Sequence, residues 1–309
     1  MKTFKSVLFI SLLIISFSSC QKDDFIENKV PKADAGPSQT ITLPINNLTL
    51  TGIGTDADGQ VVGYSWNQVS GPEATIIVNA GSASTDIKGF VEGNYVFQLM
   101  VTDEKGATGV DTVAVKVNPP IQQTLTLQPS NNPNEKLFVD QGGVDYSHVG
   151  NSELVIDAWT VGGTPWLGRA AFKFDISAIP ANATILSANL FLYSNTPPQN
   201  GNFIDANYGP NNGLILQQIT SDWAPSTANW SNQPSVSTAN QILIPSTTLS
   251  ALDININVTS MVASMVNNSA NYGFFLKLQN EVIYTSRMFV SSHHTSKVDK
   301  HPKLVVIYE

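Results

Sequence analysis

After residue 20 the apolar residues of this chain occur in short alternating runs, and no long run has the period of a helix. Turn-forming pairs such as Asp58-Gly59, Gly71-Pro72 and Lys105-Gly106 separate the runs. Alternation with a period of two places successive side chains on opposite faces of a strand. The sequence therefore predicts an all-β protein built from many short strands.

Asn118-Pro119-Pro120 divides these runs into two groups, because proline has no amide hydrogen to donate to a sheet. The first group predicts an immunoglobulin-like β-sandwich over residues 32–118. The second group predicts a β jelly-roll sandwich over residues 123–309. One helix is expected from Val258 to Asn267, with Thr259 or Ser260 as its cap and Met261, Val262 and Met265 on one side.

The first residues form a short charged segment followed by an apolar run from Val7 to Phe17, which is too short to span a bilayer. We interpret residues 1–19 as a signal peptide. Small residues precede Cys20, the only cysteine of the chain, which cannot form an internal disulfide. This segment resembles the lipobox of bacterial lipoproteins, which implies lipidation of Cys20. An ordinary secreted protein with a chance cysteine is the alternative.

Residues 20–31 are polar and are expected to form a tether behind the lipidated cysteine. Residues 21–24 resemble the acidic export tag of some Gram-negative lipoproteins, which implies a lipid-anchored protein at the outer membrane and cell surface. Loss of Lys2 and Lys5 with the signal would change the formal net charge from −8 to −10. Such a negative charge argues against nucleic acid as a partner.

The first group of strands carries a set of short motifs with a characteristic order. They are Ala33-Asp34-Ala35-Gly36-Pro37, Leu50-Thr51-Gly52, Asp56-Ala57-Asp58-Gly59, Tyr64-Ser65-Trp66, Val69-Ser70-Gly71-Pro72, Tyr95-Val96-Phe97 and Val101-Thr102-Asp103 with Gly106. Residues 32–118 resemble a PKD domain of surface proteins. The resemblance implies a rigid extracellular spacer or adhesion module. Trp66-Asn67-Gln68 departs from the Trp-Asp-Phe-Gly-Asp-Gly signature of many relatives. Trp66 alternates with Tyr64 and Gln68 on one strand face, which predicts a core residue.

The second group carries another ordered set of motifs. They are residues 168–176, 179–185 and 188–193, Trp223-Ala224-Pro225-Ser226-Thr227, Asn229-Trp230, Asn257-Val258-Thr259, Asn271-Tyr272-Gly273-Phe274, Ser291-Ser292 and His301-Pro302-Lys303-Leu304. This region resembles the DNRLRE domain, which is related to carbohydrate-binding module family 96. The resemblance implies a jelly roll that often binds polysaccharide, including acidic polysaccharide. His293 and His301 depart from the family pattern, so the ligand is not carried over.

Four basic residues are candidates for an anionic sugar site. Alternation turns Ala170, Phe172 and Phe174 to the core and leaves the basic side chains of the same and neighbouring strands on the other face. These candidates are Arg169, Lys173, Lys277 and Arg287. Guanidinium groups bind carboxylates with two hydrogen bonds, which suits uronic acid sugars. Solitary surface charges paired with Asp or Glu are the alternative.

Aromatic side chains stack on sugar rings, so loop or outward-facing aromatic residues are further candidates. They are Trp159, Trp166, Tyr208 and Phe275. Packing under long loops is the alternative for each. Trp223 and Trp230 are interpreted as packing residues.

Aspartates in turns are weak candidates for calcium, the one cofactor considered. They are Asp56, Asp58 and Asp103 in the first domain and Asp140 and Asp145 around Gly142-Gly143 in the second. Turn formation by aspartate is the alternative. The four histidines lack the spacing of a zinc site.

The sequence contains no nucleophile elbow, no His-Glu-x-x-His and no phosphate-binding glycine loop. We therefore expect no enzyme, although an unrecognised lyase or hydrolase with a Tyr or His base near Arg287 is one alternative. The sequence predicts a monomeric surface lipoprotein in which the first sandwich holds a polysaccharide-binding jelly roll away from the membrane. The other alternative is a structural or adhesive protein that binds another protein and no glycan.

Overall fold

The computed structural model describes residues 27–309, so the predicted signal peptide, Cys20 and most of the predicted tether lie outside the described residues. The chain divides into two compact units at Pro120 and Ile121. Both units consist mainly of strands, which confirms the all-β prediction. Among residues 27–309, no helix has the length and apolar character needed to cross a membrane.

The described part of the first unit, residues 27–120, is a β-sandwich with nine strands. They are β1 (Lys32–Asp34), β2 (Gln39–Thr42), β3 (Asn47–Thr51), β4 (Ile53–Thr55), β5 (Val61–Ser70), β6 (Ile76–Ile77), β7 (Ser84–Lys88), β8 (Gly93–Asp103) and β9 (Thr108–Asn118). One sheet has the order β2-β9-β8-β5, another has the order β3-β7-β6, and β1 pairs with β4. The predicted immunoglobulin-like class is confirmed, and β1 and β4 are strands that the sequence pattern did not predict.

Alternation along β8 builds the core of the first unit, because every second side chain from Tyr95 to Val101 is buried. Trp66 on β5 lies opposite Leu99 on the neighbouring strand β8. Nε1 of Trp66 donates a hydrogen bond to the carbonyl oxygen of Ser82 at 3.1 Å. The prediction that Trp66 is a core residue is confirmed. Gly52 is required beside it, because a Cβ there would lie 2.3 Å from Cδ2 of Leu99.

The last residues of the predicted tether are bound to the first unit. Nδ2 of Asn28 donates a hydrogen bond to Oδ2 of Asp103 at 2.7 Å. The backbone N–H of Lys29 donates to Oδ1 of Asp58 at 3.2 Å. Residues 27–31 form no helix or strand, and turn carboxylates of the first unit accept these two hydrogen bonds.

The second unit contains thirteen strands and one α-helix. They are β10 (Gln123–Leu127), β11 (Glu135–Gln141), β12 (Val144–Asp145), β13 (Glu153–Val161), β14 (Thr164–Phe172), β15 (Ile185–Leu192), β16 (Asn207–Tyr208), β17 (Leu214–Gln218), β18 (Ile242–Ile244), β19 (Ile254–Asn257), α1 (Thr259–Asn267), β20 (Phe274–Leu278), β21 (Thr285–Val290) and β22 (Lys303–Tyr308). A four-stranded sheet has the order β10-β22-β15-β19. A nine-stranded sheet has the order β16-β21-β13-β14-β20-β17-β18, with β11 beside β14 and β12 beside β11.

The main core of the second unit is a continuous apolar cluster with residues from both sheets. Ala170, Phe172 and Phe174 are buried in it, as their alternation predicts. Leu190 and Leu304 reach it from the four-stranded sheet. The predicted sandwich is confirmed as a curled β-sandwich of the jelly-roll class, and the unit has a closed core of its own.

Two hairpins of the second unit turn on glycine pairs. Gly162 and Gly163 join β13 to β14 with φ of 58° and 82°, and Gly142 and Gly143 join β11 to β12 with φ of 61° and 89°. Two consecutive residues with positive φ are typical of type I′ turns, which match the twist of the strands they connect. The first of these turns fixes the pairing of β13 with β14 and places Trp159 directly opposite Trp166.

The predicted helix is present as α1, and it buries Met261, Val262 and Met265 as expected, together with Val266. The prediction of its cap is wrong. Val258 occupies the cap position and makes no side-chain capping bond. The hydroxyl of Thr259 instead donates to Oδ1 of Asn257 at 2.7 Å and accepts from the backbone N–H of Ala188 at 2.9 Å.

Candidate functional site

Five aromatic side chains form a partly exposed surface across neighbouring strands of the large sheet, which we call the aromatic strip. They are Tyr146, Trp166, Trp159, Tyr208 and Tyr284. Tyr146 stacks on Trp166 with 6.3 Å between ring centroids, and Trp166 is the register partner of Trp159. Tyr208 and Tyr284 meet Trp159 edge-on at 5.5 and 5.1 Å. The three tyrosines are 51%, 41% and 53% exposed, so the strip offers aromatic surface to a ligand.

Tyr284 has an unusual backbone at this strip. Its φ is +66°, a conformation that costs a residue other than glycine about 1–3 kcal/mol. The next residue, Thr285, pairs with Ala158, so the turn places the Tyr284 ring against Trp159. Gly209 lies close by, and a Cβ there would come within 2.5 Å of the Tyr284 carbonyl oxygen. The strained backbone of Tyr284 and the space at Gly209 together position the exposed Tyr284 ring against Trp159.

A pocket of about 300 Å³ adjoins the strip at the edge strand β16, and we call it the edge pocket. Tyr208 belongs to both surfaces. The other polar residues that line the pocket include Asp205, Asn207, Asn212, Thr247, Thr248 and Ser250. Asn207 is only 5% exposed, and its Oδ1 has no hydrogen-bond partner among the described residues. Its Nδ2 donates to the carbonyl oxygen of Leu249 at 3.0 Å.

Asp157 lies next to the strip on β13, two residues before Trp159, and it is the register partner of Gly168 and Ser286. Burial raises its pKa to about 8, the charge of Glu153 adds to this shift, and the N–H groups of Trp166 and Gly168 oppose it. Gly168 leaves the space for this carboxyl group, because a Cβ at Gly168 would lie 2.5 Å from Oδ1 of Asp157. The carboxyl group is therefore protonated at neutral pH and acts as an uncharged support under the aromatic residues.

The structure does not bring the four basic candidates together. Arg169 is already bound, because its Nε and Nη2 donate to the two carboxylate oxygens of Glu281 at 2.7 and 2.9 Å. Its Nη1 donates to Gln233 at 2.9 Å, and its guanidinium lies 4.2 Å from the ring centroid of Trp230. The paired charge that the sequence left open as an alternative is thus present at Arg169.

The expectation that Arg287 lies on the face away from the core is wrong. Arg287 has no exposed surface, and it shares its strand face with Phe289, which belongs to the main core. Its Nη1 lies 3.5 Å from the Asn212 carbonyl oxygen, while Nε and Nη2 have no partner among the described residues. Burial lowers its pKa to about 10. Lys173, which directly follows β14, and Lys277 on β20 are half-buried, and neither is in a salt bridge among residues 27–309.

Phe275 is not an exposed stacking residue, contrary to its predicted outward position. It is buried with Phe138, and the two ring centroids lie 5.8 Å apart. Trp223 and Trp230 pack against the same cluster, as predicted, and Nε1 of Trp223 donates to the Tyr272 carbonyl oxygen at 2.8 Å. A second small core therefore covers this face, which alternation alone assigns to solvent.

Four of the five candidate calcium aspartates accept hydrogen bonds from backbone amides of their own turns, while Asp58 accepts from the backbone N–H of Lys29 and lies 3.6 Å from Nζ of Lys105. Oδ1 of Asp56 accepts from Asp58, and Oδ1 of Asp103 accepts from Lys105 and Ala107. Asp140 accepts from Gly143 at 3.4 Å, and Asp145 accepts from Ser147 at 2.9 Å. Among the described residues, no group of three or more His, Cys, Asp and Glu side chains has the arrangement of a metal site. These contacts are those of turn-forming aspartates.

The family model for carbohydrate-binding module family 96 matches residues 129–308. The chain belongs to carbohydrate-binding module family 96. A second family model, for the K319L-like PKD domain, matches residues 35–117. The predicted identities of the two domains and their order are confirmed, and both are non-catalytic kinds of domain.

Several curated proteins are similar to about a third of this chain. The mouse dyslexia-associated protein KIAA0319-like protein is 40% identical over 96 residues, which is 31% of this chain and 9% of that protein. Human dyslexia-associated protein KIAA0319 is 40% identical over 90 residues, which is 29% of this chain and 8% of that protein. Mouse low-density lipoprotein receptor-related protein 11 is 32% identical over 94 residues, which is 30% of this chain and 20% of that protein. The chain thus covers a small part of these relatives.

Solved structures similar to the family 96 chain include PKD domains and carbohydrate-binding modules. The solution structure of the PKD domain from KIAA 1837 protein has 32% identity and a TM-score of 0.27, and covers 30% of this chain and 92% of that one. The PKD domain of human KIAA0319 has 27% identity and a TM-score of 0.27, with 35% and 94% covered. A carbohydrate-binding module of the β-sandwich superfamily has 14% identity and a TM-score of 0.25, with 91% and 92% covered.

The sequence named Trp159, Trp166 and Tyr208 as candidates, and the structure joins them in one strip of the family 96 module. Sequence reasoning missed Tyr146, Tyr284 and the polar wall of the edge pocket. One signal was present: Trp159 and Trp166 each lie three residues from the glycine pair of their hairpin. This symmetry predicts a cross-strand pair once the type I′ turn is recognised.

Proposed function

We propose that the family 96 module binds carbohydrate along the aromatic strip and that the protein displays this site at the cell surface. The observation that supports the proposal is a partly exposed set of five aromatic residues in a carbohydrate-binding module, in which the pair of Tyr146 and Trp166 lies beside the group around Trp159 through the register of β13 with β14. Aromatic rings present large apolar faces and lose little conformational entropy when they bind. A sugar ring has apolar C–H faces that fit such surfaces, while its hydroxyl groups bind polar side chains at the rim.

The position of the strip also supports carbohydrate binding rather than packing. Trp159 and Trp166 lie on paired strands joined by a tight two-residue turn, so their relative position is fixed before a ligand arrives. A rigid aromatic pair loses little freedom on binding, which favours affinity. Asp157 stays uncharged beside them and avoids a buried charge under the site.

The acidic glycan that the sequence suggests has less support than a glycan bound through aromatic stacking. Glu281 already neutralises Arg169, and Arg287 is buried, so two of the four basic candidates are not free to pair with a carboxylate of the ligand. Lys173 and Lys277 remain as half-buried cations. We therefore propose the aromatic strip, and not a basic surface, as the main contact with the polysaccharide.

Screening residues 27–309 against neutral and acidic polysaccharides on an array tests this function. A Trp159→Ala, Trp166→Ala double variant is the matched loss-of-site protein. Phe191→Ala is the control, because Phe191 is a half-buried aromatic residue on the four-stranded sheet, where Lys303 lies 4.7 Å from its ring centroid. Binding that the double variant loses and the control retains would support the proposal. Absence of binding to every polysaccharide would favour the structural or adhesive alternative, in which the jelly roll contacts another protein.

We further propose that the chain is a lipoprotein anchored at the outer membrane through Cys20 and that the PKD domain is the spacer. The motif of small residues before Cys20 and the polar residues after it support this proposal. Several acyl chains on one cysteine anchor a protein firmly, because each buried methylene contributes about 0.8 kcal/mol. Labelling with a fatty acid analogue should mark the wild type and not Cys20→Ser, and protease treatment of whole cells should degrade the wild type. An unlabelled wild type would contradict the anchor.

A further inference from the structure

We propose that a second copy of this chain binds at the edge strand β18, in an antiparallel contact centred on Leu243. β18 (Ile242–Ile244) is the last strand of the nine-stranded sheet on the side of β17. In this contact the sheet of one copy continues into the sheet of the other. The contact is independent of the proposed glycan site, and it differs from the monomer that the sequence predicts.

The register of β17 shows which backbone groups of β18 are free. The N–H of Gln279 donates to the Gly213 carbonyl oxygen at 2.8 Å, so Gly213 and every second residue after it bond to β20. Bonding direction alternates along a strand, so Leu214 bonds to its other neighbour, β18. Its register partner there is Ile244, whose backbone groups therefore turn to β17. The preceding residue, Leu243, directs its N–H and C=O away from the sheet.

The side chains at this edge also suit a contact between copies. Leu243 is 59% exposed, whereas Ile244 packs in the main core. A groove of about 400 Å³ opens between β18 and β19, the edge strand of the four-stranded sheet. Ile244 and Ile256 of the main core line this groove, so apolar surface lies at an open side of the sandwich. A second copy bound at β18 covers this surface.

The charge pattern favours a second copy over a charged partner. No charged residue occurs between Asp222 and Asp253, a segment that includes β18 and both of its flanking loops. Exposed sheet edges usually carry lysine or another charge that prevents pairing with a second chain, and β18 has none. The whole chain has a formal net charge of −8, so two copies repel each other where their charged faces meet. An uncharged edge is where such copies can approach.

Twofold symmetry makes β18 complementary to itself. Antiparallel pairing about Leu243 places this residue opposite the same residue of the second copy, and each N–H then donates to the C=O of the other. Contacts in which both copies use the same surface are the commonest in homodimers. Pro245 follows β18 and has no N–H, so the paired stretch is short. We therefore expect a weak dimer, with an interface below about 1,200 Å².

Sedimentation velocity of residues 27–309 over about 10–1,000 μM tests the contact, since weak complexes dissociate in this range. Leu243→Lys places a charge opposite its own copy across the twofold axis and leaves the pairing of β18 with β17 intact. Val298→Lys is the matched control at an apolar residue that is 52% exposed and lies outside the strands. We expect the wild type and Val298→Lys to move from monomer to dimer as the concentration rises, and Leu243→Lys to stay monomeric.

A disulfide experiment tests the register of the contact. Residues 27–309 contain no cysteine, because Cys20 is the only one of the chain. Opposed residues of a hydrogen-bonded antiparallel pair have Cα atoms about 5.5 Å apart, which is within the range of a disulfide. Leu243→Cys should therefore form a covalent dimer under mild oxidation about tenfold faster than Val298→Cys, because pairing raises the effective concentration of the two thiols.

Three results would overturn the contact. They are a wild type that stays monomeric at every concentration, a dimer that Leu243→Lys leaves unchanged, and equal oxidation rates of the two cysteine variants. Thermal melting of each variant shows that a loss of the dimer does not reflect a loss of fold. A monomeric wild type that binds glycan overturns the contact alone, and a dimer that binds no glycan overturns the proposed function alone.

Discussion

Tyr208 meets the indole of Trp159 edge-on, with 5.5 Å between the ring centroids, and the same tyrosine lines the pocket next to Asn207. One residue thus connects the aromatic strip with the edge pocket. Tyrosine suits this position, because its ring is apolar while its hydroxyl group remains able to bind water or ligand. In the proposed glycan site the aromatic rings contact sugar faces, and Tyr208 lies at the end of the strip next to the edge pocket.

Tyr284 should affect binding without affecting stability. Asparagine tolerates the left-handed backbone better than most residues, so Tyr284→Asn keeps the turn and removes the ring from Trp159. We expect a change in the free energy of unfolding of at most about 0.5 kcal/mol. Glycan affinity should fall by about threefold to tenfold. Urea unfolding and calorimetric titration measure the two quantities, and an unchanged affinity would remove Tyr284 from the strip.

Arg169 should affect stability without affecting glycan binding. Its two bonds to Glu281 and its contact with Trp230 hold a partly buried charge, and removal of one partner leaves the other uncompensated. Arg169→Ala should lower the free energy of unfolding by about 1–3 kcal/mol. A double-mutant cycle with Glu281→Gln measures the coupling between them. Loss of glycan affinity in a folded Arg169→Ala protein would instead restore the basic-surface prediction.

Asp157 should make the stability of the second unit depend on pH. Its pKa is about 8 in the folded chain, and its reference value is 3.8. Between pH 3.8 and about pH 8, the folded state therefore keeps a proton that the unfolded state has lost. Stability therefore falls as pH rises from about 4 to about 8 and is constant above that range. Asp157→Asn should remove this fall, which is about 3–4 kcal/mol between pH 5 and pH 8 at about 1.36 kcal/mol per pH unit.

Glu135 provides the control for that measurement. Burial raises its pKa from 4.5 to about 7, and hydrogen bonds from Ser292 and Ser291 oppose the shift. As pH rises, the stability advantage of Glu135→Gln over the wild type should therefore stop growing at about pH 7. The advantage of Asp157→Asn should keep growing up to about pH 8. Urea midpoints at each pH give both curves. Parallel curves for the wild type and Asp157→Asn would show that Asp157 ionises normally.

Arg287 should be replaceable by an apolar residue of similar shape. Its Nε and Nη2 have no partner among the described residues, and burial of an unpaired charge destabilises the folded state. Apolar replacement of buried charges is often neutral or stabilising. Arg287→Met should therefore leave the urea midpoint unchanged or raise it. A loss of more than about 2 kcal/mol would show that the guanidinium makes bonds that matter to the fold.

Strand pattern and turn residues were enough to predict the all-β class, the two domains and Trp66 in the core. The faces of the second unit were harder to predict from the same pattern. Phe275 alternates as an outward residue, but the segment with Trp223 and Trp230 folds over it and adds a second core. Alternation gives the faces of a strand, yet it does not show which distant loop covers them.

The site was only partly predictable for a related reason. Trp159 and Trp166 could be predicted as a pair, because a local glycine turn fixes their register. Tyr284, Asn207 and Asp205 come from loops and an edge strand of two residues, whose positions depend on contacts far away in sequence. Alternation was used to predict Arg287 on the outward face, and its burial on the face that Phe289 shares contradicts this prediction.

A fluorescence titration tests the central claim most directly, because two of the five tryptophans of the chain lie in the strip while Trp66, Trp223 and Trp230 pack in cores. Residues 27–309 are titrated with the best glycan from the array, next to a Trp159→Phe, Trp166→Phe variant that keeps aromatic rings but removes both indoles. The account predicts a saturable change in the wild type that disappears in the variant, while calorimetry still detects binding. A fluorescence change of the same size in the variant would contradict the aromatic strip as the glycan-binding site.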